Sequence, residues 1–145
     1  MAGNKSSLVV VPIDFSDNTP AVLEKALLLA GSPDDLRCIH ILPNQAGNSP
    51  GAIWGKVDNS KRIDAVKKYF KEHYQEYNIS PSQFEVRLGS AGFAIADYAE
   101  EINARLIVIA SHGHHGLPKL LLGSVTERVI REAHCDVYVI RCPGC

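Results

Sequence analysis

A turn rich in glycine and histidine carries the residues best suited to chemistry. Three glycines interrupt the segment 110–126: Gly113, Gly116 and Gly123. Glycine lets the backbone approach a ligand closely, and the first amides of a following helix have no partner within that helix. Ser124 followed by Glu127 fits a capping box, which marks the helix start. The pattern favours a phosphate site at this helix N-terminus, although Ser124 can also serve simply as an N-cap.

Familiar catalytic signatures for phosphate chemistry are absent from the sequence. It contains no Gly-x-x-x-x-Gly-Lys-Ser/Thr, and no Gly-x-Gly-x-x-Gly follows the first apolar run. Both a P-loop hydrolase and an ordinary dinucleotide-dependent dehydrogenase are therefore disfavoured. The turn supplies Lys119, but no recognisable base, Walker-type acid or arginine finger for hydrolysis. We expect turnover to be slow or absent, and we assign no catalytic residue.

Two groups of potential metal ligands have spacings that indicate a metal site only weakly. His112, His114 and His115 suit zinc, copper or nickel, but no cysteine or acid is spaced nearby to complete a tetrahedral site. We expect these histidines to face solvent or to make polar contacts. Cys142 and Cys145 form a Cys-x-x-Cys after the last strand-like run, without the helix N-terminus that stabilises a thiolate. A frayed tail is favoured there over a redox or metal site.

Strand-like and helix-like patterns alternate along the chain and must position these residues. Apolar runs predict strands over 8–13, 36–42, 84–88, 106–110 and 137–140. Helical spacing predicts four helices between them: one from a Thr19 cap to Gly31, and others marked by Ile63 to Tyr77, Ile95 to Ile102 and Leu122 to Ala133. The alternation implies right-handed crossovers and a parallel sheet with helices on both faces.

The first and fourth strands are continuously apolar, which is typical of the centre of a parallel sheet. Placed side by side, they create a topological switch point, where ligands bind beyond the carboxyl ends of the strands. Asp14 follows the first strand and Ala110 ends the fourth. We therefore expect both residues at the rim of one crevice.

Composition excludes several classes of protein. The chain has 145 residues, a net charge of −1 and four cysteines, which fits one domain over 1–145 with tails at 1–7 and 142–145. The basic residues are scattered, so no nucleic-acid partner is expected. No apolar run reaches the ~20 residues of a membrane span, and the first residues lack the order of a signal peptide. We expect a reduced, cytoplasmic protein.

The motifs, taken in order, resemble the universal stress protein family. Its nucleotide-binding fingerprint is Gly, two residues, Gly, nine residues, Gly and then Ser or Thr, and here Gly113 and Gly123-Ser124 match it while Ala110 replaces the first glycine. The runs that also match the family are Val11 to Ser16, Ile39-His40-Ile41, Leu106 to Gly113 and Leu121 to Val125. The resemblance extends from about Leu8 to Arg141.

The resemblance implies an α/β fold, an open five-stranded parallel sheet of order 3-2-1-4-5 that is Rossmann-like and of the adenine nucleotide alpha hydrolase type. It implies ATP or AMP as the ligand, with Mg²⁺ or Mn²⁺ carried on the phosphates rather than by the protein. Pro12, Ile13 and Asp14 would flank the adenosine, although a strand-end Asp can equally cap the following turn. Ile41 would contact the adenine.

The remaining roles implied by the family fall on the late turn. Ribose and phosphates would be wrapped by Ala110, Ser111, His112, Gly113, His114, His115 and Gly116. Gly123 would allow close approach, and Ser124, Val125 and Thr126 would donate backbone or hydroxyl hydrogen bonds to phosphate. The Ala110 methyl group would narrow this pocket.

The family also implies a homodimer through the C-terminal strand at 137–141, although Asp136 stands where the family commonly has proline. A terminal strand whose side chains only pack under helices fits the sequence equally well. Three functions remain open: a nucleotide-binding module for stress response or signalling that acts through a dimer or partner, a slow ATPase or autophosphorylating enzyme, and a scaffold that needs no nucleotide.

Overall fold

The computed structural model describes residues 6–44, 59–112 and 122–141, and strands and helices alternate along them. The strands are β1 (Val9–Pro12), β2 (Leu36–Leu42), β3 (Phe84–Leu88), β4 (Leu106–Ala110) and β5 (Asp136–Ile140). The helices are α1 (Thr19–Ala30), α2 (Asn59–His73), α3 (Ala91–Glu101) and α4 (Ser124–Glu132). Short 3₁₀ turns cover Pro33–Asp35, Gln75–Tyr77 and Pro81–Gln83.

All five strands form one parallel sheet in the order β3-β2-β1-β4-β5. This confirms the predicted order and places β1 beside β4. Val9, Val10 and Val11 of β1 have no exposed surface, as expected for a strand covered on both faces. β3 lies at an edge, as its alternating pattern predicts, and its Glu85 and Arg87 form an ion pair at 3.2 Å.

Two apolar layers hold the helices against the sheet. On one face, Val9, Val11 and Cys38 pack with Leu23 of α1 and Phe70 of α2. On the other face, strand residues pack with α3 and α4: Val10, Ile39, Ile107, Ile95, Tyr98 and Val129. Helices therefore cover both faces of the sheet. None of the helices in the described ranges is long and apolar enough to span a bilayer.

Three predicted helix ends differ from the observed ends by short distances. Asn18, rather than Thr19, is the N-cap of α1, because Thr19 is already the first helical residue. The Thr19 hydroxyl donates to Asp14 Oδ1. The Tyr77 end of the second predicted helix is wrong, because α2 stops at His73 and Tyr77 lies in a separate turn. Gly123 is the N-cap of α4, so the capping box predicted at Ser124 is wrong by one residue.

Candidate functional site

A crevice opens beyond the carboxyl ends of the neighbouring strands β1 and β4. Its volume is about 320 Å³, within the ~300–1,000 Å³ typical of small-molecule sites. Ten predicted site residues line it: Pro12, Ile13, Asp14, Ile41, Ala110, His112, Gly123, Ser124, Val125 and Thr126. Segments about a hundred residues apart in sequence therefore meet in one cavity.

The other predicted site residues do not line the crevice or lie outside the described ranges. Ser111 is buried behind the crevice wall, and its amide donates to Ile140 O at 2.8 Å, which continues the β4–β5 pairing by one step. The predicted residues outside the described ranges are Gly113, His114, His115 and Gly116, together with Lys119, Cys142 and Cys145.

Asp14 organises the turn that follows β1. Its Oδ1 accepts hydrogen bonds from the Ser16 amide at 3.0 Å and from the Thr19 hydroxyl at 3.3 Å. These contacts show that Asp14 caps the turn that follows β1, which is one of its two predicted roles. The other role, a contact between Asp14 and a ligand, stays a prediction.

The residue after Asp14 has an uncommon backbone conformation. Phe15 has a φ of 60°, in the left-handed region that bulky residues rarely adopt. Its ring lies 4.9 Å from the His40 ring, and His40 Nδ1 lies 2.6 Å from Ile13 O. Because a carbonyl oxygen only accepts, Nδ1 carries the proton in this contact. These contacts confirm the predicted packing role of His40 and fix the shape of the β1 rim.

The opposite rim is the first turn of α4. The Gly123 amide donates to Ser111 O at 2.8 Å, and the first intrahelical bond runs from the Glu127 amide to Gly123 O at 2.9 Å. The amides of Ser124, Val125 and Thr126 therefore precede the helical hydrogen-bond ladder, at the positive end of the helix dipole. Backbone N–H groups in this arrangement are chemically suited to hold an anion.

The Thr126 hydroxyl has a partner within the protein. Its Oγ1 donates to Ala110 O at 2.7 Å, and the residue is buried. This bond ties α4 to the end of β4. Of the two predicted contacts of Thr126 with phosphate, backbone or hydroxyl, it favours the backbone amide, and the contact itself stays a prediction.

His112 is buried rather than solvent-facing. Its Nδ1 lies 3.2 Å from Ser111 Oγ, so the polar-contact alternative is correct for this histidine. Asn18 Nδ2 donates to His112 O at 3.5 Å, which links the β1 turn to the β4 turn beneath the crevice. Among the described residues, no group of His, Cys, Asp and Glu is placed to hold a metal ion.

The sequence did not predict nine further lining residues: Ser16, Asn18, Thr19, Val22, Ile39, His40, Ala91, Ile95 and Ile109. Asn18 and Thr19 lie in the turn after Asp14. Their hydrogen-bonding side chains, so close in sequence to Asp14, could have identified them as lining residues. Ala91 and Ile95 belong to α3, which follows the edge strand β3. Their part in the crevice depends on how α3 crosses the sheet, and no local pattern encodes that crossing.

Comparisons with known proteins agree with this architecture. The sequence model of the universal stress protein family matches residues 7–141. The chain is 33% identical to universal stress protein A homolog 2 of Coxiella burnetii over 147 residues, which cover 99% of each chain.

Solved structures show the same fold. The universal stress protein UspA from Lactobacillus plantarum superposes with a TM-score of 0.71 at 23% identity, covering 95% of this chain and 100% of its own. A universal stress protein in complex with cAMP gives 0.60 at 21% identity, covering 94% and 97%. The chain described here belongs to the universal stress protein family.

Proposed function

We propose that the crevice binds an adenine nucleotide, ATP or AMP, and that the protein acts as a stress-response or signalling module in a dimer or with a partner. One observation carries the proposal: Asp14 and the first turn of α4 line the same cavity at the β1–β4 switch point. An acceptor-rich turn and a row of helix-start amides thus face one enclosed volume. A related fold with bound cAMP supports a nucleotide as the ligand class.

The crevice lining combines two chemistries, which suggests how a nucleotide would lie. The apolar side chains of Ile41, Ile95 and Ile109 line it and offer a surface for a planar base. Ser124, Val125 and Thr126 also line it, and their helix-start amides suit an anion. The nucleotide would therefore place its base on the apolar residues and its phosphates at the helix N-terminus, with its ribose near Asp14.

Any divalent ion would be carried mainly by the ligand. The described residues offer no cluster of metal-binding side chains, and Mg²⁺ commonly binds through substrate phosphates. Titrations with Mg²⁺, Mn²⁺ or EDTA present test this point. A strong cation requirement for ATP, with little for AMP, is the expected result.

Reversing the charge at the phosphate wall tests the binding site. Val125 lines the crevice and is 38% exposed, whereas Ile130 is 44% exposed on the same helix and does not line it. Val125→Glu should weaken ATP and AMP binding by about tenfold or more, since a carboxylate would repel phosphate there. Ile130→Glu adds the same charge and should leave binding unchanged. Calorimetric titration of nucleotide-free protein with ATP, AMP and cAMP gives the affinities.

The fold should survive both changes. Glutamate in the first turn is favourable to the helix dipole, so Val125→Glu should retain the native melting temperature.

Absence of nucleotide binding by the unaltered protein at millimolar nucleotide concentration would refute the proposed ligand. Equal affinity in the two variants would place the phosphates elsewhere.

A further inference from the structure

A second cavity, of about 600 Å³, lies at the opposite end of the sheet from the nucleotide crevice. It opens between the last two turns of α2 and the amino end of β3. One wall comes from one face of α2, where Lys67, Phe70 and Lys71 recur at intervals of three and four residues, and Tyr74 follows directly after the helix. This cavity shares no lining residue with the crevice, so it is a separate candidate site.

The inner surface of this cavity is apolar and ordered. Phe70 and Phe84 stack with ring centroids 4.1 Å apart and an interplanar angle of 16°. Phe70 also stacks on Tyr74 at 5.3 Å, and Ile79 is only partly buried beside them. These rings belong to the core packing of α2 against β3, so the cavity has a fixed apolar base rather than one formed by mobile side chains.

The rim carries a concentration of positive charge. Lys67, Lys68 and Lys71 all line the cavity, and no acidic residue does. Lys68 lies 3.9 Å from Glu72, but no ion pair of Lys67 or Lys71 is found among the described residues. Like charges one helical turn apart repel each other. An anion held between Lys67 and Lys71 would remove that repulsion.

We infer that this cavity binds a free amphipathic carboxylate, with its chain on the Phe70–Phe84 base and its carboxylate between Lys67 and Lys71. An apolar cavity with a few convergent charged groups is the usual form of a small-molecule site. The alternative is that the lysine stems lie over the apolar base and keep their ammonium groups in water. The inference does not depend on nucleotide binding.

Dodecanoate is a suitable probe, with dodecanol as its uncharged counterpart, both used below the concentration at which they aggregate. Calorimetric titration of the full chain should show saturable binding of dodecanoate and at least about tenfold weaker binding of dodecanol. Dodecanoate affinity should also fall as salt rises, because the lysines are exposed. Chemical-shift perturbation of backbone amides should centre on α2 and the start of β3.

Matched variants separate this site from general charge effects. Lys71→Glu should weaken dodecanoate binding by about tenfold, since it replaces an attraction with a repulsion. Lys61→Glu makes the same charge change on the same helix outside the cavity and should leave the affinity within about twofold. Ile79→Ser should weaken dodecanoate and dodecanol alike, because it removes apolar contact from both.

Several outcomes would overturn the inference. One is no saturable binding by the unaltered chain, as expected if the lysine stems fill the cavity. Another is equal weakening by Lys71→Glu and Lys61→Glu, which would indicate a diffuse charge effect. A third is sedimentation with anionic phospholipid vesicles without binding of monomeric dodecanoate, which would indicate a membrane surface instead.

Discussion

Asp14 both stabilises the turn after β1 and lines the crevice. Its carboxylate fixes the turn by accepting hydrogen bonds from the Ser16 amide and the Thr19 hydroxyl. The position of Asp14 at the crevice rim thus depends on a side chain in the first turn of α1. Because the left-handed Phe15 is held within this turn, the surrounding contacts must offset its backbone strain.

Removing the Thr19 hydroxyl tests this dependence. Thr19→Val should lower nucleotide affinity by about threefold to tenfold, because Asp14 loses one fixed donor, and unfolding free energy should fall by about 1 kcal/mol. Ser7→Ala is the control, since it removes a hydroxyl that donates to another carboxylate, Asp35, outside the crevice. Nucleotide titration and urea unfolding of both variants provide the measurements. Unchanged affinity in Thr19→Val would show that Asp14 is positioned without this hydroxyl.

The thiols differ in their expected reactivity. Burial raises the pKa of the Cys38 thiol well above its ordinary range, and the residue has no exposed surface. Because the thiolate is the reactive form, alkylation of Cys38 by iodoacetamide should be at least about 100-fold slower in the folded protein than in urea. Peptide mapping by mass spectrometry follows this rate and that of the partly exposed Cys135 separately. Comparable Cys38 rates in the two states would contradict a closed core.

At the scale of elements, strands were easier to predict than helix ends. The exact bounds of β2, β3 and β4 follow from short apolar or alternating runs. The capping pattern at Ser124 places the start of α4 one residue late, because Gly123 is the cap and its carbonyl accepts the first intrahelical bond. The Gly123 amide also pairs with Ser111 O across the chain, a contact between distant segments that the local sequence pattern does not indicate.

The packing of α3 on α4 depends on one glycine. A Cβ atom added at Gly92 would lie 2.4 Å from both Cβ and Cγ of Arg128, so the helices meet closely there. Gly92→Ala should lower the free energy of unfolding by about 1–3 kcal/mol through overpacking. Alanine alone would favour the helix by about 1 kcal/mol, so the two effects have opposite signs. Urea unfolding decides between them, and a more stable variant would mean that Arg128 moves aside at little cost.

For the whole molecule, the alternation of elements and the apolar first and fourth strands predict a parallel sheet with β1 beside β4, and hence the location of the crevice. The full strand order is predicted only from the family resemblance. The alternation does not predict the α3 residues in the crevice wall or the burial of His112. Those features arise when distant segments pack, as when Asn18 reaches His112 O. The sequence indicates at which end of the sheet the crevice forms, whereas the shape of the crevice comes from tertiary contacts.

We propose that two copies of the whole molecule form a homodimer through β5. In the described residues β5 pairs with β4 and ends the sheet order, and Tyr138 is 40% exposed on it. An edge strand presents unpaired N–H and C=O groups that a second copy can satisfy. A two-fold axis through this edge would bring each Tyr138 close to its symmetry mate.

Tyr138→Asp therefore places two like charges near the axis of the proposed dimer, because a two-fold interface repeats every substitution on both sides. We expect the dimer to weaken by at least about tenfold, measured by light scattering during gel filtration over a range of concentrations. Leu28→Asp is the control, since Leu28 is 75% exposed on α1 and away from β5. If the unaltered protein runs as a single chain at every concentration, the dimer does not form. If Leu28→Asp separates the copies as readily, β5 is not the contact.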